Sequence, residues 1–465
     1  MTPDEFRAAG YAAIDWIAEY LESVEERPVA SVVVPGALLA ALPPAAPEDP
    51  EPWSAVLADL DRRIVPGLMH WQHPSFFGYF PANASPPAIL GELLSAGLGV
   101  QGMLWVTSPA CTELEIGVLE WLRVALGLPD RFSAAGPGGA VLQDTASSAT
   151  LCALLAARDR CAAPLAQQVL YTSTQAHSSV AKAARIAGFA EAQLRLIPVD
   201  DTLAMRVDAL SEQVAADRAA GRVCSAVCAT VGTTSTGAVD PVAQIGRACG
   251  DAWLHVDAAW AGSAAICVEH RGLLAGLEHA DSFVFNPHKW LLTNFDCSAF
   301  FVADRAPMLA ALSILPEYLR NAPTASGEVV DFRDWQVPLG RRFRSLKLWF
   351  VLRTYGLSGL RAHIRGHIAL AAWFAARIAA DPRFELAAPV SLALVCFRHA
   401  GGDGVNQRLL DALNGSGRLF LTHTQVDGQL ALRLAVGGRM TEARHVEAAW
   451  AEMVAWADRE AVATG

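Results

Sequence analysis

Between residues 169 and 302, short apolar segments alternate with helical segments, and this alternation constrains the fold more than any other feature. Strands are predicted at residues 169–172, 194–198, 223–230, 253–257, 283–286 and 299–302. They are apolar along their whole length, which is typical of strands buried on both faces. The sequence therefore predicts an α/β fold with a mostly parallel central sheet and helices on both faces.

The rest of the chain is predicted to form flanking helices and a second, smaller unit. Apolar residues recur at helical spacing in residues 4–27 and 53–65, while residues 28–52 are rich in proline and alanine and show no regular pattern. Residues 360–459 mix helical and strand patterns, as in an α+β unit. The predicted regions are an N-terminal helical segment that packs on a second subunit (1–84), a large domain (85–345) and a small C-terminal domain (346–465).

Composition and charge exclude several classes of protein. The net charge is −11 and the basic residues do not cluster, so no nucleic-acid partner is expected. No apolar run is long enough to span a membrane, and the acidic, amphipathic N-terminus does not resemble a targeting peptide. The nine cysteines are scattered without metal-binding spacing. We expect a soluble cytoplasmic protein with reduced thiols and no metal site.

Polar residues follow three of the predicted strands. Thr233 and Thr234 come after strand 223–230, Asp257 ends the next strand, and His288 and Lys289 follow the strand after that. Ligands of such sheets bind outside the carboxyl ends of the strands. The sequence therefore predicts a binding site at this edge.

Lys289 lies between a buried strand and the apolar run 290–292. Desolvation would lower its pKa and make the neutral amine available as a nucleophile. The alternative is that its stem extends to the surface, which is the ordinary fate of a lysine.

Two further segments allow a functional and an ordinary interpretation. The small, hydroxylated residues 145–150 open a helix and could bind a phosphate, although the segment taken alone favours a plain N-cap. The aromatic residues in 71–80 could line a pocket for a flat apolar ligand or simply fill the core. Together, Lys289, Asp257, His177 and the 145–150 segment suit pyridoxal 5′-phosphate, whose aldehyde reacts with an amine and whose ring nitrogen needs an acidic partner.

Six runs of sequence, in order along nearly the whole chain, resemble aromatic L-amino-acid decarboxylases. This family belongs to the group II pyridoxal-phosphate decarboxylases, of the aspartate-aminotransferase fold (fold type I). The runs are HPSFFGYFP (73–81), SPACTELE (108–115), QAHSS (175–179), HVDAAWAGSA (255–264), NPHKWLLTNFDCSA (286–299) and PLGRRFRSLKLWFVLRTYG (338–356).

The resemblance assigns roles to individual residues. It implies that Lys289 forms the Schiff base with the cofactor, that Asp257 bonds the pyridine nitrogen and that His177 stacks over the ring. Further cofactor contacts are implied for Ala146, Ser147, Thr234, Asn286 and His288. Tyr318 falls where decarboxylases carry a loop tyrosine that protonates the substrate carbon after CO2 leaves, within a long irregular segment (305–333) that we predict to be a lid.

The resemblance also implies a substrate site and a homodimer with shared active sites. The candidate substrate-binding residues are Trp71, Tyr79, Phe80, Pro81, Ala82, Trp105 and Gly340. No extra basic residue is available for an acidic side chain. Gly340 matches a position where plant relatives use glycine for indolic substrates, so tryptophan, 5-hydroxytryptophan or dopa is favoured over tyrosine and phenylalanine.

Two alternatives stay open. Oxidative aldehyde synthases of the same family typically carry phenylalanine at the position of Tyr318, so the tyrosine favours decarboxylation. A catalytically silent relative that serves as a binding or scaffold protein is disfavoured by the intact Lys289, Asp257 and His177. The chain departs from the family at Trp260, where relatives have tyrosine, and at Ala82, where the animal enzyme has threonine; both changes concern substrate choice.

Overall fold

The structure is a computed structural model that describes residues 1–314, 321–326 and 328–464. By packing, the chain divides into two compact units. The smaller unit contains Met1–Pro81, Ala376–Glu385 and the residues from Phe397 onward, and the larger unit contains Ala82–Ala375 and Leu386–Cys396. The three predicted regions (1–84, 85–345 and 346–465) stay a prediction.

The described helices alternate with strands through the middle of the chain. The helices are α1 (Pro3–Ser23), α2 (Ala37–Ala41), α3 (Trp53–Asp59), α4 (Pro86–Leu98), α5 (Pro109–Leu126), α6 (Ala146–Arg160), α7 (Ser179–Ile186), α8 (Val207–Ala219), α9 (Val242–Cys249), α10 (Pro287–Trp290), α11 (Ala306–Leu312), α12 (Ala322–Ser326), α13 (Arg344–Ala380), α14 (Asp403–Gly415) and α15 (Ala443–Thr464). Helix α13 is interrupted at Gly356, whose φ of 61° lies in the left-handed region that glycine tolerates. None of the helices in the described part of the chain is both long and apolar enough to cross a membrane.

A seven-stranded sheet forms the core of the larger unit. Its strands are β1 (Gly139–Gln143), β2 (Gln168–Ser173), β3 (Leu194–Ile197), β4 (Val223–Thr230), β5 (Trp253–Asp257), β6 (Ser282–Phe285) and β7 (Ser298–Val302). Their order across the sheet is β1-β7-β6-β5-β4-β2-β3, and only β7 runs against its neighbours. Strands β5, β6 and β7 are buried along their whole length, as their apolar sequences predict. The predicted fold class is therefore confirmed, and the carboxyl ends of β1, β2, β4, β5 and β6 share one edge.

A smaller sheet of four strands belongs to the C-terminal part of the chain. Its strands are β8 (Phe384–Leu386), β9 (Leu394–His399), β10 (Thr422–Val426) and β11 (Gln429–Ala435), in the order β10-β11-β9-β8. Strands β10 and β11 are antiparallel, and the turn between them is Asp427-Gly428, with φ of 53° and 75°. Asp-Gly is a favoured pair for a tight hairpin that needs positive φ.

The sequence missed some short elements. Helix α2 lies inside the predicted structureless stretch, and α11 and α12 lie inside the predicted irregular segment 305–333. Pro307 is in the first turn of α11, where a missing N–H costs no helical hydrogen bond. The three-residue strand β8 was not predicted, because so short a segment shows no periodicity.

Within the smaller unit, the N-terminal segment is fastened to C-terminal residues. Glu25 pairs with Arg444, with Nη2 at 2.7 Å from Oε2, and His445 Nε2 lies 3.1 Å from Glu25 Oε1. The N–H of Val29 donates to the carbonyl of Gly417 at 2.8 Å. The predicted packing of this segment on a second subunit is not tested by these contacts.

Candidate active site

Lys289 lies in the short helix α10, immediately after β6. Asn286 leaves the strand in an extended conformation and Pro287 starts the helix, so the chain turns at the edge of the sheet. The N–H of Lys289 donates to the carbonyl of Asn286 at 3.0 Å. Asn83, which lies just before α4 in the chain, donates from Nδ2 to the carbonyl of Lys289 at 2.7 Å. The backbone of the lysine is thus fixed from two directions.

Burial lowers the pKa of Lys289, and the nearby charge of Asp257 opposes that shift. The side chain is half-buried. A lysine with a lowered pKa has more of the neutral amine that attacks a carbonyl carbon. The predicted position of Lys289 beside Asp257 agrees with this electrostatic contact.

Asp257 ends the central strand β5 and is 5 % exposed. Its Oδ1 accepts a hydrogen bond from the N–H of Ala259 at 3.0 Å. Among the described residues, nothing donates a hydrogen bond to its second oxygen, Oδ2. A buried carboxylate with an uncompensated oxygen is costly unless a donor binds there, and a protonated pyridine nitrogen is such a donor.

His177 follows β2 and keeps part of its surface open. The N–H of Ser179 donates to its Nδ1 at 3.1 Å, so in the neutral ring the proton is on Nε2. Desolvation lowers the pKa of His177, Asp257 raises it and Lys289 lowers it. His177, Asp257 and Lys289 therefore lie within electrostatic range of one another.

The N-terminus of α6 follows β1 at the same edge. Thr145 is the N-cap, and its Oγ1 accepts the N–H of Ser148 at 3.3 Å. The N–H groups of Ala146 and Ser147 lie in the first turn of α6, where a helix offers them no carbonyl acceptor, so they are open to a ligand. Together with the helix dipole they fit a phosphate group. Ala146 and Ser147 were the residues predicted to contact the phosphate. Thr145, which caps the helix, was not predicted individually.

Three other predicted cofactor contacts have side chains that the fold already uses or constrains. Asn286 Oδ1 accepts a hydrogen bond from Ser298 Oγ at 2.6 Å. His288 Nδ1 accepts the N–H of Cys297 at 3.0 Å, and burial lowers the pKa of His288 to about 3. Thr234 is half-buried in the turn after β4. Asn286 and His288 are therefore anchored to the start of β7, and their roles toward a cofactor stay predictions.

Three of the candidate substrate residues, Ala82, Trp105 and Gly340, belong to the larger unit. Trp105 is held by two hydrogen bonds, from its N–H to Asp331 Oδ1 and from Nε1 to Glu113 Oε1, both at 2.9 Å. A Cβ added to Gly340 would meet Gln101 Oε1 at 3.5 Å, so a serine would fit there. Ala82 is half-buried.

The other candidate substrate residues belong to the smaller unit, where they form an aromatic cluster. Trp71 stacks on Tyr79, with ring centroids 5.5 Å apart and an interplanar angle of 13°. The Arg433 guanidinium lies over the buried ring of Phe80 at 5.5 Å, and Pro81 is buried. Tyr79 has φ of 52° and is 50 % exposed. A bulky residue in the left-handed region is strained, and such strain concentrates at functional sites.

Tyr318 lies outside the described residues, so its predicted role stays a prediction. Trp260, the departure from the family, is buried and stacks on Trp290 at 5.0 Å with an angle of 18°. The Trp290 Nε1–H donates to His367 Nδ1 at 3.1 Å. Trp260 therefore packs against Trp290, the residue that follows Lys289 in α10. No signal in the sequence identified Asn83 as the brace of that turn, because the two are far apart along the chain.

Taken together, the open oxygen of Asp257, the open N–H groups at the start of α6 and the half-buried amine of Lys289 fit pyridoxal 5′-phosphate. Each supplies what one end of that molecule needs: a base for the ring nitrogen, donors for the phosphate and an amine for the aldehyde.

Comparisons with known proteins agree with this assignment. A family model described as the pyridoxal-dependent decarboxylase conserved domain matches residues 35–400. The chain is 47 % identical to the aromatic-L-amino-acid decarboxylase of Sus scrofa, over 97 % of this chain and 96 % of that protein. It is 46 % identical to tryptophan decarboxylase 2 of Oryza sativa subsp. japonica (97 % and 94 % covered) and 47 % identical to the phenylacetaldehyde synthase of Arabidopsis thaliana (97 % and 95 % covered).

Among solved structures, the crystal structure of Oryza sativa TDC with PLP and tryptamine superimposes with a TM-score of 0.96 at 41 % identity. It covers 97 % of both chains.

Proposed function

The chain belongs to the pyridoxal-dependent decarboxylase family, and we propose that it converts tryptophan, 5-hydroxytryptophan or dopa, in preference to tyrosine and phenylalanine, to the arylethylamine and CO2. The reaction class, pyridoxal-phosphate-dependent decarboxylation of aromatic amino acids, follows from the family. The observation that carries the proposal is the placement of Lys289 beside Asp257 at the strand-end edge, with the open N-terminus of α6 at that same edge.

When bound, the cofactor supplies an electron sink for the pair of electrons left behind by departing CO2. Lys289 Nζ is the group that would hold its aldehyde covalently. Asp257 Oδ2 would keep the proton on the ring nitrogen, which makes the sink effective. The N–H groups of Ala146 and Ser147 would hold the phosphate and fix the orientation of the ring.

Tyr318 would deliver a proton to the substrate carbon after CO2 loss. The support is its residue type, since a phenol can donate a proton and a phenyl ring cannot. The second candidate function, an oxidative aldehyde synthase, is favoured by the similarity to the Arabidopsis thaliana phenylacetaldehyde synthase. The two candidates differ in product and in oxygen uptake.

An aromatic substrate is supported by the named relatives, and the preference among rings rests on Gly340. Glycine leaves space that a serine side chain would fill, with Gln101 as the neighbour on that side. The two-ring side chains of tryptophan and 5-hydroxytryptophan need that space more than a single ring does, so Gly340 supports the indolic substrates and not dopa. Relatives of similar identity act on different aromatic side chains, so overall identity does not choose among them.

We also propose a homodimer. Helix α4 carries four leucines at positions 90, 93, 94 and 98, which lie on one face and are between 44 % and 60 % exposed. Such a stripe is typical of a protein–protein interface. Light scattering at micromolar concentration should give twice the chain mass; a monomer would contradict the proposal.

The test of the function is a substrate panel. Purified protein is given tryptophan, 5-hydroxytryptophan, dopa, tyrosine, phenylalanine and glutamate separately, and amine, aldehyde and oxygen consumption are followed together. Amine from the indolic substrates or dopa without oxygen uptake supports the decarboxylase. Aldehyde with matching oxygen uptake would establish the synthase instead.

Tyr318→Phe tests the proton donor. We expect amine formation to fall by about 10²-fold and the share of aldehyde to rise, because general acid catalysis contributes on that order. Tyr355→Phe, on α13, is the matched control and should leave the product ratio unchanged. An unchanged ratio in Tyr318→Phe would remove this role.

A further inference from the structure

Behind the strand-end edge, five buried groups form one continuous hydrogen-bonded chain. The Trp253 Nε1 lies 2.7 Å from Ser282 Oγ, and that oxygen lies 2.8 Å from His255 Nδ1. On the other side of the ring, His255 Nε2 lies 3.2 Å from Thr150 Oγ1, which lies 2.9 Å from the carbonyl oxygen of Ala146. Trp253, Ser282, His255 and Thr150 are at most 1 % exposed.

The direction of every bond in this chain follows from counting protons. Thr150 has a single proton and gives it to the carbonyl of Ala146, so its oxygen can only accept from His255, whose Nε2 therefore carries a proton. In the neutral ring Nδ1 is then the acceptor, and Ser282 Oγ donates to it. The indole N–H of Trp253 can only donate, so Ser282 Oγ accepts from it.

The ring is held neutral as well as oriented. Burial lowers the pKa of His255 to about 4, although the charge of Asp257 opposes the shift. A protonated ring would place a second donor against Ser282 Oγ and leave the hydroxyl proton without an acceptor.

The chain joins the two ends of the cofactor site. His255 and Asp257 are two residues apart on β5, so their side chains leave the same face of the sheet. Ala146 is the first residue of α6, whose open N–H groups fit the phosphate. Strand β5, which carries the carboxylate for the ring nitrogen, is thus hydrogen-bonded through one imidazole to the helix turn that fits the phosphate.

We propose that His255 is a positioning residue, fixed as its Nε2–H tautomer, that sets the spacing between Asp257 and the first turn of α6 and thereby the affinity for pyridoxal 5′-phosphate. The proposal rests on the cofactor, which the family fixes, and is independent of which aromatic side chain is decarboxylated. His255 does not contact the reacting atoms; it acts through its neighbours, as outer residues do around other prebuilt sites.

Thr150→Val is the sharpest test, since it removes one hydroxyl and keeps the shape of the side chain. Apoprotein is titrated with pyridoxal 5′-phosphate, and binding is followed by tryptophan fluorescence. We expect the Kd to rise about tenfold, the size of one buried hydrogen bond. The matched control is Thr172→Val, a buried threonine on β2 whose hydroxyl donates to the Cys228 carbonyl at 3.0 Å. It should change the Kd less than twofold.

Two substitutions of the ring separate positioning from mere packing. His255→Phe keeps a ring without hydrogen bonds and should weaken binding further, whereas His255→Gln keeps an N–H donor toward Thr150 and should recover part of the affinity. The pH at which the visible spectrum of the bound cofactor changes should shift in His255→Phe and return toward wild type in His255→Gln. If these variants lower the unfolding temperature but leave the Kd and the spectrum unchanged, the role is structural and the proposal fails.

A measurement on the wild-type protein needs no variant. Nitrogen-15 NMR of labelled histidine should show a protonated Nε2 and an unprotonated Nδ1 for His255 from pH 6 to pH 8, with and without cofactor. A proton on Nδ1, or a charged ring in this range, would overturn the proposal.

Discussion

Of the three lysines, Lys347 is buried, Lys289 is half-buried and Lys182 is exposed. The side chain of Lys347, on α13, is 1 % exposed, and its Nζ lies 2.7 Å from Glu92 Oε2. It packs so closely on α4 that a Cβ added to Gly91 would lie 2.6 Å from its Cα. Lys289 lies at the strand-end edge instead.

Burial lowers the pKa of both lysines, to about 8 for Lys347. Burial alone therefore does not select the nucleophile. Lys347 has a carboxylate in direct contact, which keeps its amine engaged, whereas the site of Lys289 combines a half-buried amine with an acidic group and open N–H donors. Placement among complementary groups, and not burial, is therefore what nominates Lys289 as the nucleophile.

The largest expected effect comes from replacing each of the two lysines in turn. Lys289→Ala should lower turnover by at least about 10³-fold and abolish the visible absorbance of covalently bound cofactor, because no other amine occupies that position. Lys347→Met should retain both. CO2 release and absorbance spectra of the two purified variants test this prediction. Full turnover in Lys289→Ala would contradict the assignment of Lys289 as the nucleophile.

The second prediction concerns the loss of folding stability at low pH that the buried histidines His288 and His255 cause. Burial holds the pKa of His288 at about 3 and that of His255 at about 4, against an ordinary 6.5. Between those values the unfolded chain binds more protons than the folded one, so stability falls as pH drops below 6.5. The expected loss is about 1.4 kcal/mol per pH unit for each histidine.

Urea unfolding of the apoprotein between pH 7 and pH 5 measures this slope. His288→Gln should reduce the slope by the contribution of one histidine, about 1.4 kcal/mol per pH unit. A slope that the substitution leaves unchanged would mean that His288 is not neutral in the folded protein.

A third prediction concerns Lys347 alone. Lys347→Met should lower the free energy of unfolding by about 1–2 kcal/mol, less than for a fully buried pair, because Glu92 keeps Arg342 as a second partner. Adding Glu92→Gln should recover part of that loss, since the carboxylate is then no longer short of a partner. Strictly additive losses in urea unfolding would show that the pair is not coupled.

The smallest expected effect comes from replacing Trp260, which packs next to the turn that carries Lys289. Trp260→Tyr restores the residue that relatives carry and shortens the ring that stacks on Trp290. We expect a loss of roughly 1 kcal/mol in unfolding free energy from the smaller buried surface, and less than a threefold change in kcat. A shift in substrate preference above tenfold would give Trp260 a direct role in specificity.

The sequence alone determined the kind of elements and nominated the candidate reactive residues. Continuous apolar strands separated by helical segments specify a buried parallel sheet, because each pattern can hide its apolar face in only one way. Strand-end polar residues then point to Asp257 and Lys289, since all parallel strands deliver their ends to one edge. Beyond the missed α2, α11 and β8, the predicted strands 223–230 and 253–257 coincide with β4 and β5.

Only the tertiary structure decided which buried polar groups meet. Asn83 bonds the carbonyl of Lys289 across 206 positions of sequence, and Thr150 bonds His255 across 105. Such partners depend on strand register and on how a helix is rotated against the sheet, and neither leaves a local periodicity in the chain. A hydrogen bond needs its atoms within about 3 Å, so the sequence could nominate the reactive groups but not the chain of contacts that holds them in place.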